Sequence, residues 1–255
     1  MARVDGRPAY LCIADELREH IRAGVYPAGA RLPTMATLSA THSVSEIVIR
    51  HAISVLRGEG LIETRRGGGT VVRVHPPVRR VAMDRYRLET RPLVTPATSF
   101  TKDQRISWEE YRLDKAYAKV RADGELASLF ELRPGIPLLR RHFVFFARGD
   151  PQQISINYLP WDFVAGTPVA DPGREPWPGG TPAQLAYLGH PATRVEEAVR
   201  SRMPTPEEIE TLRLAAGVPV LAVTRRMLSG ERVLEVCRDI VIPADRVVLD
   251  YAIDL

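Results

Sequence analysis

The stretch IETRRGGGTVV, residues 62–72, combines cations with backbone freedom in a way that suits anion binding. Two short β-prone runs surround a tip made of two arginines and three glycines: Arg65, Arg66, Gly67, Gly68 and Gly69. Glycine permits positive φ and lets a backbone approach another surface closely, so such a tip can lie along a phosphate chain. The alternative is a flexible turn whose arginines are only solvated.

Two helices are predicted ahead of this hairpin. Apolar residues at Ile13, Leu17 and Ile21 share one helical face and predict a first helix over residues 10–23. A Pro/Gly-rich turn follows, and Thr34 is placed to cap a short second helix that carries Leu38.

A third helix is predicted to begin after Ser45, which is a favourable N-cap residue. Its inward stripe consists of Ile49, Ala52, Ile53 and Leu56. Its outward face consists of Glu46, Ile47, Arg50 and His51. Helix, short helix, capped helix and hairpin in this order is the plan of a winged helix-turn-helix, in which the third helix enters the major groove of DNA.

The segment RLPTMATLSATHSVSEIVIRHAISVLRGEGLIETRRGGGTVV resembles the DNA-binding domain of GntR-type transcriptional regulators. The resemblance implies that a homodimer binds a double-stranded operator, with Arg50, Arg65 and Arg66 on phosphates and Ser45, Ile47 and His51 positioning the helix. The implied DNA-contacting set is Arg31, Thr34, Ser45, Glu46, Ile47, Arg50, His51, Arg65, Arg66, Gly67, Gly68, Gly69 and Thr70.

Two positions depart from the family pattern. Ala36 and Glu46 stand where relatives usually carry arginine, so two positive charges are lost. A carboxylate repels phosphate, although it can accept a hydrogen bond from a cytosine amine. We therefore expect an operator that differs from the family's usual one.

The chain is predicted to have an α+β fold in which a winged helix-turn-helix domain, residues 1–75, precedes a mainly antiparallel second domain, residues 101–255. Residues 76–100 contain a proline pair without sustained periodicity and are predicted to be a linker and extended lead-in. Beyond it, strands outnumber helices and adjacent strands are joined by hairpins. The Pro/Gly-rich segment WDFVAGTPVADPGREPWPGGTP, residues 161–182, is predicted to be loop.

An internal echo supports two similar halves in the second domain. ELASLFELRPGIPLLRR and EEIETLRLAAGVPVLAV align at an offset of 82 residues and match Gly135 with Gly217 and Pro137 with Pro219. The repeated helix, glycine turn and strand predict a pseudo-two-fold arrangement. The conservative alternative is that any such turn favours a glycine after its helix.

The same segments resemble the UTRA effector-binding domain of HutC-type regulators, which implies a chorismate-lyase-like fold and a small-molecule effector. Where sugar-phosphate-binding relatives carry anion-clamping arginines, this chain has Phe143 and Phe145, so we expect an apolar or aromatic effector instead. The simpler interpretation of these two rings is strand packing. The candidate effector-binding residues are Arg141, Phe143, Phe145, Ser155, Asn157, Glu235 and Asp239.

Composition narrows the functional classes. Residues 1–80 carry 12 Arg against 7 acidic residues, a balance of +5 in a chain of net charge +4, which favours a polyanionic partner for this part. We expect no metal or cofactor, because the six histidines are scattered without ligand spacing, and no membrane span, so the expected location is the cytoplasm. The alternatives are an enzyme of chorismate-lyase-like fold, disfavoured because no GxSxG, HExxH or Walker-type motif is present, and a winged-helix interaction or architectural protein without a ligand.

Overall fold

The computed structural model describes residues 3–4, 6–65, 69–73, 78–81, 85–86, 96–215 and 217–252, without the side chains of residues 3–4, 64–65 and 81. The chain divides into two compact units, Met1–Val78 with Leu214–Pro219 and Arg79–Arg213 with Val220–Leu255. The predicted domain limits near residues 75 and 100 adjoin segments of which only 78–81, 85–86 and 96–100 are described, and they stay a prediction.

The first unit is a three-helix domain with two small hairpins. Its strands and helices, in chain order, are β1 (Arg3–Val4), β2 (Arg7–Pro8), α1 (Ala9–Arg22), α2 (Met35–His42), α3 (Glu46–Gly58), β3 (Ile62–Arg65) and β4 (Gly69–Val72). β3 pairs antiparallel with β4, so that Ile62 lies opposite Val72. All three predicted helices are present: α1 is within one residue of its predicted ends, and α2 and α3 begin directly after the predicted caps, Thr34 and Ser45.

Local chemistry explains where these helices begin and what they bury. The Thr37 backbone amide donates to the Thr34 hydroxyl at 3.1 Å, which caps α2 as predicted. Ser45 occupies the N-cap position of α3, but its side chain makes no capping hydrogen bond. The predicted inward stripe of α3 is buried in the core against Leu17 and Ile62. That stripe is Ile49, Ala52, Ile53 and Leu56.

A charged clamp fixes α1 against the end of α3. The Arg18 guanidinium donates to both carboxylate oxygens of Glu59, at 2.7 and 2.5 Å, and also to Asp15. Hydrogen bonds to these carboxylates raise the pKa of Arg18. The bidentate geometry sets the orientation of α3 relative to α1, and therefore the direction in which the outward face of α3 points.

The second unit is built on one antiparallel sheet. Its elements are β5 (Val78–Val81), α4 (Ser99–Gln104), β6 (Tyr111–Arg121), α5 (Gly124–Phe130), β7 (Pro137–Ala147), β8 (Asp150–Pro160), α6 (Trp161–Val164), α7 (Gly180–Tyr187), β9 (Arg194–Arg202), α8 (Pro206–Leu212), β10 (Val220–Ser229), β11 (Arg232–Pro243) and β12 (Val247–Asp250). Six strands form the main sheet in the order β6-β7-β8-β11-β10-β9, and β5 pairs separately with β12. The α+β class with a mainly antiparallel sheet is thus confirmed.

The 82-residue sequence repeat is also present in the backbone conformation. α5 and α8 have equal lengths and begin 82 residues apart, and each is followed by a residue in the left-handed conformation, Glu131 or Arg213. Gly135 and Gly217 share a φ of 83°. The strand order is symmetric about the β8–β11 pair, so β6-β7-β8 and β9-β10-β11 are equivalent halves.

The prediction that residues 161–182 form only loop is wrong. The segment contains α6, two short 3-10 turns at Pro168–Ala170 and Pro172–Arg174, and the first residues of α7. Proline at the first position of a turn is preorganised for helical geometry and disfavoured only in a helix interior, so the prolines begin these turns instead of preventing them. Among the described residues, no helix is long and apolar enough to cross a membrane.

Candidate functional site

The outward face of α3 in the first unit presents four different side-chain chemistries together. Glu46, Ile47, Arg50 and His51 are all exposed, and 63% of the Ile47 surface is accessible. His51 packs edge-to-face against Tyr10 with ring centroids 5.8 Å apart. Across the described ranges, Glu46 and Arg50 have no ion-pair or hydrogen-bond partner, which leaves a carboxylate, an apolar surface and a guanidinium free for a groove.

Other predicted DNA contacts surround this face only in part. Arg31 and Thr34 are exposed, and Arg31 forms an isolated β-bridge to Val71. The Thr70 carbonyl accepts from the Leu32 backbone amide at 2.9 Å, which attaches the hairpin to the segment before α2. Of the predicted hairpin tip, Arg66, Gly67 and Gly68 lie outside the described residues, Arg65 is described in its backbone only, and Gly69 begins β4 with a φ of 76°.

A cleft lies on one face of the main sheet in the second unit. It encloses about 640 Å³, counted to its open mouth. Strands β6, β7, β8 and β10 supply the floor, while Arg85, Tyr86, the start of α4 and residues 175–182 supply the opposite wall. Gly179 in that wall has a φ of 81°, and an added Cβ would lie 2.6 Å from the Ala183 Cβ, so the approach to α7 requires glycine.

One side of the cleft is aromatic. Phe143 and Phe145 are two residues apart on β7 and therefore lie on the same face of the sheet, with ring centroids 5.9 Å apart. Phe145 also contacts Phe100 at 5.1 Å and Tyr111 at 6.3 Å. Burial raises the pKa of the Tyr111 hydroxyl, so this ring stays neutral. These four rings form a continuous apolar surface.

The adjacent strand contributes a polar row that consists of Gln153, Ser155 and Asn157. The ladder places Gln153 opposite Phe145 and Ser155 opposite Phe143, so rings and polar groups run side by side. All three polar residues are buried and line the cleft. The Ser155 hydroxyl lies 3.1 Å from the Cys237 sulfur.

Arg141 lies beneath the cleft and does not line it. Its guanidinium is completely buried and donates to Asn157 at 2.8 Å, to Gln184 at 2.7 Å and to Thr181 at 3.3 Å. Glu175 is 3.7 Å away and neutralises it. The geometry gives Arg141 a positioning role for cleft residues, in place of the ligand contact expected from its strand position.

Two further candidates also lie away from the lining. Glu235 is fully buried under Arg225, which it pairs through both carboxylate oxygens at 2.6 and 3.3 Å. Asp239 lies on the surface, 3.6 Å from Arg200. The cleft therefore brings together four of the seven predicted effector residues: Phe143, Phe145, Ser155 and Asn157.

The charged residues that line the cleft are Arg85, Glu175 and Arg225, and each has an opposite charge beside it. Arg85 pairs with Asp103, Glu175 with Arg141 and Arg225 with Glu235. Burial lowers the pKa of Arg85 to about 10, which leaves the guanidinium charged near neutral pH. The cleft is thus polar at several points but close to neutral.

Reactive chemistry has little support in the described part of the molecule. Burial raises the pKa of the Cys237 thiol to about 12, so it does not supply a thiolate. No cluster of three or more potential metal ligands occurs among the described residues.

Several lining residues were not predicted from the sequence. Gln153 could have been found, because strand alternation places it on the same face as Ser155 and Asn157. The 82-residue offset also relates it to Glu235 and relates Phe143 to Arg225. No comparable local signal identifies Arg85 or Trp177, which reach the cleft from segments distant from these strands.

Comparison with known proteins agrees with this arrangement. Residues 9–72 match the model of the gntR family of bacterial regulatory proteins, and residues 116–247 match that of the UTRA domain. An HTH-type transcriptional regulator of Streptomyces coelicolor is 28% identical over 88% of this chain and 85% of its own length. The histidine utilization repressor of Pseudomonas putida is 25% identical over 91% and 86%.

Among solved structures, a GntR-family transcriptional regulator superposes with a TM-score of 0.62 at 30% identity, covering 97% of this chain and 98% of that one. The chain belongs to the GntR family of transcriptional regulators, with a GntR-type DNA-binding domain followed by a UTRA domain of HutC-like type. Its relatives are regulators and not enzymes, which sets aside the enzyme alternative.

Proposed function

We propose that this protein is a homodimeric repressor that holds an operator through the outward face of α3 and leaves it when a small, uncharged or aromatic molecule occupies the UTRA cleft. One observation carries the effector half of the proposal: a buried cleft in which four aromatic rings adjoin a row of polar side chains. A protein that only bound DNA would gain nothing from burying such polar groups around an open space.

The DNA-binding half of the proposal rests on the unpartnered groups of α3 and on the family to which the chain belongs. A dimer would place two third helices in successive major-groove half-sites, and ligand would change the orientation of the reading domains. The linker prolines through which we expect this coupling, Pro76 and Pro77, lie outside the described residues. A useful switch needs the ligand to distinguish the two states by about 1–3 kcal/mol.

The first experiment is selection of bound duplexes from a random pool with the full-length protein, at two salt concentrations. A palindromic site with half-sites about one helical turn apart or closer supports a dimeric regulator. Weak binding without sequence preference would instead mean that Ala36 and Glu46 mark a domain that has lost its reading function, and the repressor proposal would fail.

Two variants then separate the two activities. Arg50→Ala should weaken operator binding and reduce the slope of log affinity against log salt by about 0.9, because one phosphate contact is lost. Phe145→Ala should weaken the ligand response and leave operator affinity unchanged, because the ring lines the cleft of the second unit and is not part of the DNA-binding domain. Unaltered salt dependence in the first variant, or an unaltered ligand response in the second, would contradict the assignment of that site.

A further inference from the structure

The side-chain amide of Gln153 faces the cleft and has no hydrogen-bond partner among the described residues. Its side chain lines the cleft with 8% of its surface exposed, and across the described residues neither its oxygen nor its nitrogen makes a hydrogen bond. The amide atoms stay accessible from the open space of the cleft, so a ligand that covers them must replace the hydrogen bonds they otherwise make to water. A primary amide offers one acceptor and two donors in a plane, so the missing partner should present a donor and an acceptor together.

A second group in the polar row is also incompletely used. The Asn157 side-chain oxygen accepts a hydrogen bond from Arg141 at 2.8 Å. Its NH₂ group makes no hydrogen bond to any described residue. The polar row therefore offers a second unused donor besides the Gln153 amide, and it favours a ligand with hydrogen-bond acceptors.

The charge balance argues against an anionic ligand. The Arg225 guanidinium donates to both carboxylate oxygens of Glu235, and Arg85 forms an ion pair with Asp103. The Glu175 carboxylate, which also lines the cleft, accepts from the Trp177 amide at 2.7 Å and from Gln184 at 2.7 Å, and so stays fixed there. Every charged lining residue is thus already paired, with Glu175 beside Arg141, so an incoming phosphate or carboxylate would find no unpaired cation among the described lining residues.

The aromatic side fixes the shape of the ligand. Gln153 is the ladder partner of Phe145, so its amide lies beside a surface formed by the rings of Phe143, Phe145 and Tyr111. A flat ring can stack on that surface while its edge meets the amide.

We infer that the cleft binds an uncharged, planar heteroaromatic molecule whose edge carries an adjacent donor and acceptor, read by the side-chain amide of Gln153. This inference rests on the proposed function only in placing the ligand in the UTRA cleft. It adds the ligand's charge, its shape and the residue that recognises its edge.

The test compares four probes by calorimetric titration of the full chain. 7-Azaindole has the required adjacent N–H and ring nitrogen, indole has the same shape without the acceptor, indole-2-carboxylate adds a negative charge, and glucose 6-phosphate represents the sugar phosphates. We expect 7-azaindole to bind about tenfold more tightly than indole, the effect of one hydrogen bond plus an amide group left unpaired. The two anions should bind more weakly than either.

Variants assign the preference to one residue. In Gln153→Ala, and in the similarly sized Gln153→Leu, the ratio of indole to 7-azaindole dissociation constants should fall to about one. Gln152→Ala is the matched control, because Gln152 is adjacent on the same strand but does not line the cleft, and it should keep the ratio. Circular dichroism of each variant verifies folding before titration.

The inference is overturned if the ratio survives in both Gln153 variants, if an anion binds most tightly, or if none of the probes binds. Operator binding is measured separately on the same preparations. A chain that selects no DNA sequence but keeps the Gln153-dependent ratio would refute the repressor proposal and leave the ligand class standing. Operator release by a sugar phosphate would refute the ligand class and leave the repressor proposal standing.

Discussion

Arg141 demonstrates how a buried cation is fixed by partners that are distant in sequence. Asn157 is 16 residues away and Gln184 is 43 residues away, and both accept from the same guanidinium. The strand period correctly predicts that Arg141 shares a face with Phe143 and Phe145, but it cannot predict that α7 closes over the guanidinium. For this reason a residue that the sequence suggests as a ligand contact is a support beneath the cleft.

Removing Arg141 should therefore cost stability as well as ligand binding. Arg141→Ala leaves the buried Glu175 carboxylate without its opposite charge and the side-chain oxygens of Asn157 and Gln184 without their donor, so we expect the free energy of unfolding to fall by about 3–5 kcal/mol. Denaturant unfolding measures this change. Arg194→Ala is the control, since that side chain is 66% exposed beside Glu196 and should cost less than about 1 kcal/mol. An equal decrease in the free energy of unfolding of the two variants would contradict the structural role of buried Arg141.

Ile47 is an apolar residue in an unusual place, exposed at the first turn of α3. Apolar side chains recognise the thymine methyl group in the major groove. Replacing thymines of the selected operator one at a time by deoxyuridine should weaken binding at one position per half-site by about fourfold, the effect of about 0.8 kcal/mol for one buried carbon.

Replacing the same thymine by deoxyuridine should not change the operator affinity of the Ile47→Ala variant, because the thymine methyl group then has no apolar partner on the protein. Val25→Ala removes a comparably exposed apolar side chain elsewhere in the first unit and should keep the full sensitivity to deoxyuridine. If Ile47→Ala remained as sensitive as the unmodified protein, another residue would be reading the methyl group.

At the scale of elements, long amphipathic helices and those marked by a cap or by the repeat were predictable, whereas the two shortest helices, α4 and α6, were not. α1 and α3 have three or more turns with one apolar face, and their inward residues follow from spacing alone. α4 and α6 have only six and four residues, too few to establish a period. α4 is stabilised by the capping box of Thr98 and Thr101, and α6 by packing on β7 and β8, which a sequence pattern does not reveal.

The caps of the repeated helices give an element-scale prediction. In α8 the Arg202 guanidinium donates to Glu208 at 2.6 and 2.7 Å, and the Thr205 backbone amide donates to the same carboxylate at 2.8 Å. These bonds lower the pKa of Glu208 from its ordinary value of 4.5. A carboxyl group whose pKa is lower in the folded state stabilises it above pH 4.5, and this stabilisation is lost as the pH falls through the lowered value.

Glu208→Gln should therefore be less stable than the unmodified protein by about 0.5–1 kcal/mol at pH 7, since the amide keeps the capping geometry but loses the charge. The difference should shrink toward zero in denaturant titrations below pH 4. Glu210→Gln, on the same helix and without an ion pair in the described chain, should give no such pH-dependent difference. A constant gap between Glu208→Gln and the unmodified protein at every pH would show that charge plays no part.

At the scale of the whole molecule, the repeat predicted the symmetry of the main sheet but not the separate two-stranded sheet of β5 and β12. The helix, glycine turn and strand recur at a fixed offset, so the same local sequence pattern occurs in both halves. β5 and β12 are separated by more than half of the chain, and the pairing of two four-residue strands leaves no periodic trace in either. Long-range pairing of this kind depends on the assembled fold.

The proposed coupling has a reciprocal consequence that can be measured. If 7-azaindole lowers operator affinity by some factor, operator DNA must lower 7-azaindole affinity by the same factor, roughly 5- to 150-fold for allosteric proteins. Titrating the probe into the free protein and into the protein saturated with operator gives both numbers. Equal probe affinity for the free and the operator-saturated protein would contradict the proposed coupling.

The equivalence of the two half-sheets has a consequence for redesign. The second half places the Arg225–Glu235 pair where the first half has Phe143 and Gln153, so an ion pair in one half corresponds to an aromatic ring and an amide in the other. If the cleft binds the effector as proposed, exchanging Phe143, Phe145 and Gln153 as a set should change the ligand specificity without removing this ion pair. The second half of the sheet would then keep its support while the first half is redesigned as the recognition element of a biosensor.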